Sequence, residues 1–180
     1  MKHLYSRIIP IVLILISFGC QTNSYYAAMN TNQQRHGGWS KDDADLLVKS
    51  HDIVLFLESS SAVAQDKAEL KDVYLLAEDL YVTSKNLRTD YRVESTIHRT
   101  KLASALSKSR DELLERLKNT PKDEFDNTYL LLIDQQLDEL NELMVNYQNE
   151  GHTDRLKDFA DKVLDTYENY EQQANELASL

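Results

Sequence analysis

The sequence predicts an all-α fold, a four-helix bundle with a short connector helix before the third long helix. Three observations predict it. Helix breakers are scarce, with 4 Gly and 2 Pro in 180 residues, and Pro10 falls in an N-terminal leader. The chain is 42% hydrophobic and 28% charged, enough apolar surface for a core and enough charge for long solvated helix faces. Apolar residues recur every three or four positions over long stretches, the period of an amphipathic helix rather than of a strand.

Residues 1–19 read as a secretory signal of lipoprotein type. Lys2 and Arg7 supply the positive start, and residues 8–18 form an apolar run too short to span a bilayer. The run ends Ser17-Phe18-Gly19-Cys20, which resembles a bacterial lipobox, although Ser17 and Phe18 replace the more usual Leu and Ala or Ser. Cys20 is the expected lipid-attachment residue; ordinary signal cleavage nearby and an uncleaved anchor are the alternatives. As the chain has 1 Cys, no disulfide forms within it. Gln21, rather than Asp, follows the cysteine, which in proteins resembling Gram-negative lipoproteins favours the outer membrane. Residues 20–39 are polar and poor in pattern, and predict a flexible tether carrying Tyr25, Tyr26 and Trp39.

Residues 40–180 form the predicted bundle domain. Ser40 begins the first long helix, with Asp43 completing a capping-box variant. Its stripe is Leu47, Ser50, Ile53, Val54, Leu57, Ser61 and Ala64, and the small residues 59–64 invite close approach of a neighbour. A corner follows near residues 65–67, with Asp66 and Glu69 as a second capping pair. The second helix carries Leu70, Val73, Tyr74, Ala77, Leu80, Tyr81, Leu87 and Tyr91 on one face. From Arg92 the pattern weakens, so residues 94–109 either continue this helix or start another. Leu113, Leu114 and Leu117 mark the short connector.

The third long helix takes Thr120 as N-cap and Pro121 at its first position, with Asp123 and Glu124 at the positive end of the dipole. Phe125, Tyr129, Leu132, Leu140, Leu143 and Tyr147 form its stripe, widened by Ile133, Leu137 and Met144 and interrupted by Gln136. Gly151 is expected to end it with a positive φ. Thr153 caps the fourth helix, whose stripe is Leu156, Phe159, Ala160, Val163, Tyr167, Tyr170, Ala174 and Leu177. So short a link sets these two helices antiparallel, as a hairpin on which the rest packs, in an up-and-down or ferritin-like bundle.

Charge narrows the function. The net charge is −10, and residues 111–180 carry 18 acidic against 6 basic residues, a poor surface for nucleic acid. The basic residues Lys85, Arg88, Arg92, Arg99, Lys101, Lys108 and Arg110 concentrate before this region. They fit internal pairing with the acidic half, a solvated face, or contact with anionic head groups or an acidic partner. The paired Glu-x-x-His signature of a di-iron bundle is missing, and Glu94 with His98 is a single pair. His51 lies near an apolar stripe, where a satisfied histidine is commoner than a ligand. Phosphate loops, nucleophile elbows and zinc spacings are absent from the sequence, so no catalytic residue, metal ligand or cofactor is expected.

The segments Asp111-Glu-Leu-Leu-Glu-Arg-Leu, Phe125-Asp-Asn-Thr-Tyr129, Leu156-Lys-Asp-Phe-Ala-Asp-Lys-Val-Leu and Ala174-Asn-Glu-Leu resemble a family of secreted bacterial proteins of unknown function. The resemblance covers residues 44–178 and implies a ferritin-like four-helix fold and an outer-membrane location. Members of that family tend to carry histidines near the end of the second helix, in the middle of the helix starting Phe125-Asp126 and near the end of the last, where this chain has Tyr81, Gln136 (or Leu137) and Tyr170 in core-facing stripes. These three predict a buried hydrogen-bonded cluster, because a buried polar group needs a partner. The expected function is that of a periplasm-facing lipoprotein on the outer membrane, a non-enzymatic interaction or structural protein with an envelope partner. The alternatives are a ferritin-like metal-binding or stress protein, and a small-ligand binder using the bundle interior.

Overall fold

The computed structural model describes residues 24–179; the leader and Cys20 lie outside the described residues. The described residues form six helices: α1 (Ser24–Arg35), α2 (Trp39–Lys67), α3 (Lys71–Ile97), α4 (Lys108–Asn119), α5 (Lys122–Glu150) and α6 (Asp154–Ala178). The four long helices and the connector α4 match the sequence expectation. The fold is an all-α bundle.

The chain runs as two antiparallel hairpins, α2–α3 and α5–α6, joined by a crossover that contains α4. Ties at the two ends fix the directions. Lys67 Nζ donates to the carbonyls of Lys118 and Thr120 at 2.7 and 2.9 Å at one end. Asp43 meets Thr153 at 2.6 Å, and Glu94 meets Arg155, at the other. Around the square, α2 packs on α3 and α5, and α6 packs on α5 and α3, so α2 and α6 stand diagonally.

The sequence makes the C-terminal hairpin the organising element, but α2 holds that place. It touches α1, α3, α4 and α5, and every residue from Ser50 to Leu57 is buried. The run Ile53-Val-Leu-Phe-Leu57 explains this: a helix apolar all round belongs in the interior. The small residues that follow let α5 approach, with Ser60, Ser61 and Ala64 all buried.

Several expected junctions are corrected. Residues 24–35 are no flexible tether but the helix α1, with Ala28 0% and Asn32 1% exposed. The Asn32 amide donates to the Lys101 carbonyl at 2.9 Å and accepts its N–H at 2.8 Å, and Ser24 pairs similarly with Ala105. This segment lacks an amphipathic signature because it is held through polar contacts, over a small cluster of Ala28, Val48 and Ala103.

The expected caps also lie elsewhere. Ser40 donates to the Gly37 carbonyl, and Thr120 to that of Arg116, so neither caps the following helix. Thr153 occupies an N-cap position but gives its hydroxyl to Asp43. Gly151 has φ −64°, not a positive value. Glycine is needed there for space, since a Cβ would lie 2.4 Å from the Tyr147 carbonyl oxygen. The helix α3 ends at Ile97, inside the ambiguous region, at a turn in which Arg99 takes φ 52°. There Thr100 N–H bonds the Ser95 carbonyl at 2.8 Å and Arg99 N–H the Thr96 carbonyl at 3.3 Å, a Schellman closure built without glycine.

Candidate functional site

The buried carboxylates among the described residues are Asp43, Asp52, Glu94 and Asp126, and each ties separate elements together. Asp52, 0% exposed on α2, accepts the Ser107 backbone N–H at 2.7 Å and Arg110 Nη1 at 2.8 Å. The same guanidinium donates through Nε to Gln136 Oε1 at 2.8 Å and through Nη2 to Glu139 Oε2 at 2.7 Å. One planar fork thereby joins α2, α4 and α5. Removing one partner of such a buried pair costs about 3–5 kcal/mol, because the other charge is left alone.

Asp126 closes the N-terminus of α3 from across the bundle, accepting the Leu70 N–H at 2.8 Å and the Glu69 N–H at 3.2 Å. Its neighbour Phe125 is in the core, and Tyr129 shares a 2.9 Å hydroxyl bond with Ser61 of α2. The motif Phe125-Asp-Asn-Thr-Tyr129 is therefore a stitch through α2, α3 and α5. At the opposite end Asp43 holds the Tyr147 and Thr153 hydroxyls, and Glu94 takes a two-pronged bond from Arg155 at 2.8 and 2.7 Å.

Five carboxylates outside any ion pair among the described residues stand together elsewhere. Between α5 and α6, on the side turned away from α2, lies an open groove of 330 Å³. Leu137, Leu140, Val163 and Leu164 form its floor, and Asp165, Glu168 and Glu171 line its α6 rim. Asp134 and Asp138 stand on α5 close to Glu171. Burial, then the charges of Asp138 and Asp134, raise the Glu171 carboxyl above its usual range. Asp134 accepts one neutral bond, from Asn175 at 2.8 Å. None of these five carboxylates enters an ion pair among the described residues. An apolar floor with an uncompensated acidic rim can hold a cationic, partly apolar group.

The family model that matches, a domain of unknown function (DUF4142), spans residues 28–177, from within α1 to the last turn of α6. The chain belongs to the DUF4142 family. No curated protein and no solved structure matches it. The DUF4142 match starts earlier than residue 44 and takes in part of α1, in keeping with a helix that belongs to the bundle.

In this DUF4142 chain Tyr81, Gln136 and Tyr170 do not hydrogen-bond to one another. Gln136 serves Arg110. Tyr170 bonds Thr83 and donates to Asp79, both at 2.8 Å, and burial pushes its hydroxyl up to about 12. Tyr81 is half-buried with the Lys85 ammonium over its ring. The expected cluster is corrected to three separate contacts, because Gln136 and Tyr170 each meet a polar partner on another helix and Tyr81 meets Lys85 of its own helix. Cys20 lies outside the described residues.

The Glu94–His98 pair is open at 3.8 Å, with Glu94 committed to Arg155. No group of three or more metal-ligating side chains is assembled among the described residues. The basic run is divided rather than continuous: Arg88 pairs with Glu58 at 2.6 Å, Asp90 with Lys162 at 3.0 Å, and Arg110 is buried. Asp52 and Asp126 escaped the sequence reading. A charge bordering the apolar run 53–57 was the signal for the first; the second stood in the motif 125–129, but nothing local pointed to its partners, which are backbone groups 56 and 57 positions away.

Proposed function

We propose that this DUF4142 chain is a non-enzymatic interaction module of the cell envelope, held to the outer membrane by a lipid on Cys20 and facing the periplasm. The observation that supports it is how the charged groups are divided. The buried carboxylates work as ties between helices, while five carboxylates outside any ion pair among the described residues, Asp134, Asp138, Asp165, Glu168 and Glu171, stand in or beside one outer groove. The first set builds a stiff body, and the second gives that body a surface with a sign. The lipobox-like end of the leader supports the anchoring. The order hairpin, crossover, hairpin supports a ferritin-like classification of the bundle, a fold-level analogy that brings no chemistry with it.

Cross-linking of the full-length protein in its own cells, read by mass spectrometry with Cys20→Ser beside it, tests the reading. A discrete partner captured by the wild type and lost in the variant is the expected outcome. Wild-type protein at the membrane with no partner overturns the module.

A further inference from the structure

We infer that the α5–α6 groove is a docking site for a basic amphipathic helix of a partner protein, an inference that rests on the interaction-module reading. The groove runs between two antiparallel helices. Its floor is aliphatic, and carboxylates follow one another along both edges at helical intervals: Asp165, Glu168 and Glu171 on α6, Asp134 and Asp138 on α5. From Asp165 to Glu171 the edge rises about 9 Å, close to two turns of a helix. A helix lying in the groove would seat an apolar stripe on Leu164, the partly exposed aliphatic residue of the floor, and place Lys or Arg from both flanks against the two edges.

The alternatives fit less well. Anionic lipid head groups meet a repulsive rim. A linear polyamine would answer the carboxylates and leave the aliphatic floor unused. Besides burial, the charges of Asp138 and Asp134 act on Glu171, and that repulsion is relieved when a cation arrives, so charge favours the bound state in addition to apolar contact. Among the described residues no cation pairs with these carboxylates, and the nearby Lys162 is already paired with Asp90 of α3.

The test uses the purified full chain in a non-ionic detergent and a fluorescein-labelled Leu/Lys amphipathic peptide of helix-forming pattern, followed by anisotropy. The peptide is expected to bind, with its Leu/Glu counterpart silent. Glu168→Gln with Glu171→Gln should weaken binding about tenfold, and Leu164→Asn should weaken it as well. Asp123→Asn with Glu124→Gln removes the same charge from the first turn of α5 and should leave binding within about twofold. Equal weakening by that control pair overturns the site, as does indifference to Leu164→Asn, which would mark a charge-only site of the polyamine kind. Unchanged thermal unfolding of each variant separates lost binding from lost fold. In cells, a captured partner whose cross-links avoid α5 and α6 would overturn the groove and keep the module. Peptide binding in vitro without any captured partner would do the reverse.

Discussion

His51 and Tyr91 face each other deep in the bundle, their rings 5.5 Å apart, and neither His51 Nδ1 nor the Tyr91 hydroxyl has a hydrogen-bond partner. Phe159 closes the far side of Tyr91, edge to face at 4.8 Å. Burial, helped by Arg88 and Arg92, lowers the His51 pKa from 6.5 to about 4. The neutral imidazole is thus the folded form, so its contribution is whole above pH 6.5 and lost as pH falls through 4. Between pH 7.5 and 5.5 the unfolded chain gains a proton that the folded one refuses, and stability should drop by about 1 kcal/mol. Urea unfolding at those two pH values, on wild type and His51→Gln, checks this; an equal drop in both would place the pH dependence elsewhere. The tyrosines show how far single residues were readable. Tyr91, Tyr129, Tyr147, Tyr167 and Tyr170 are buried as their stripes predict, whereas Tyr74 of the α3 stripe is exposed. Inside the bundle Tyr129 finds Ser61, and Tyr167 finds Ser84 at 3.0 Å. Ser61, read from the sequence only as a small residue, and Ser84 are the acceptors or donors that let those rings be buried.

Helix existence was legible, and helix ends were not. Period alone located α2, α3, α5 and α6, because a long apolar stripe has few other uses. The ends fail for a common reason: their caps come from residues far away in sequence. Asp126 lies 56 positions from Leu70, whose N–H it accepts, and local capping pairs such as Asp66 and Glu69 were offered in its place. Asp126→Ala should therefore unravel the start of α3 while leaving α5 intact. The expected loss is about 1–2 kcal/mol, with faster hydrogen exchange at residues 71–74. Faster exchange at residues 122–126 alone would show that Asp126 supports its own helix instead. Arg99 makes the same point at the other end of α3, since no glycine announces the left-handed turn that it makes.

For the whole molecule the charge total was plain in the sequence, and its placement was not. The counts for residues 111–180 predicted an acidic half, yet could not separate Asp126 and Glu139, which are engaged, from Glu168, which has no ion pair among the described residues, and Glu171, which faces the charges of Asp138 and Asp134. Packing decides that division. Because the net charge of −10 includes an unpaired cluster, self-repulsion should outweigh the surface ion pairs. Raising NaCl from 10 to 200 mM is expected to lift the Tm by about 2–4 °C, and less in the Glu168→Gln, Glu171→Gln variant. A falling Tm would mean that the ion pairs dominate.

The docking of α1 has a mechanical consequence for the proposed anchorage. Because α1 doubles back along α2, the chain joins the body on its flank, beside Ala105, and not at a tip. Residues 21–23 alone separate Cys20 from Ser24, a reach of about 14 Å even at full stretch. A body moored so closely and so near its waist would lie along the bilayer rather than stand on it. Its α2 side would face the lipid, and the groove between α5 and α6 would open toward the far compartment, where a passing partner arrives.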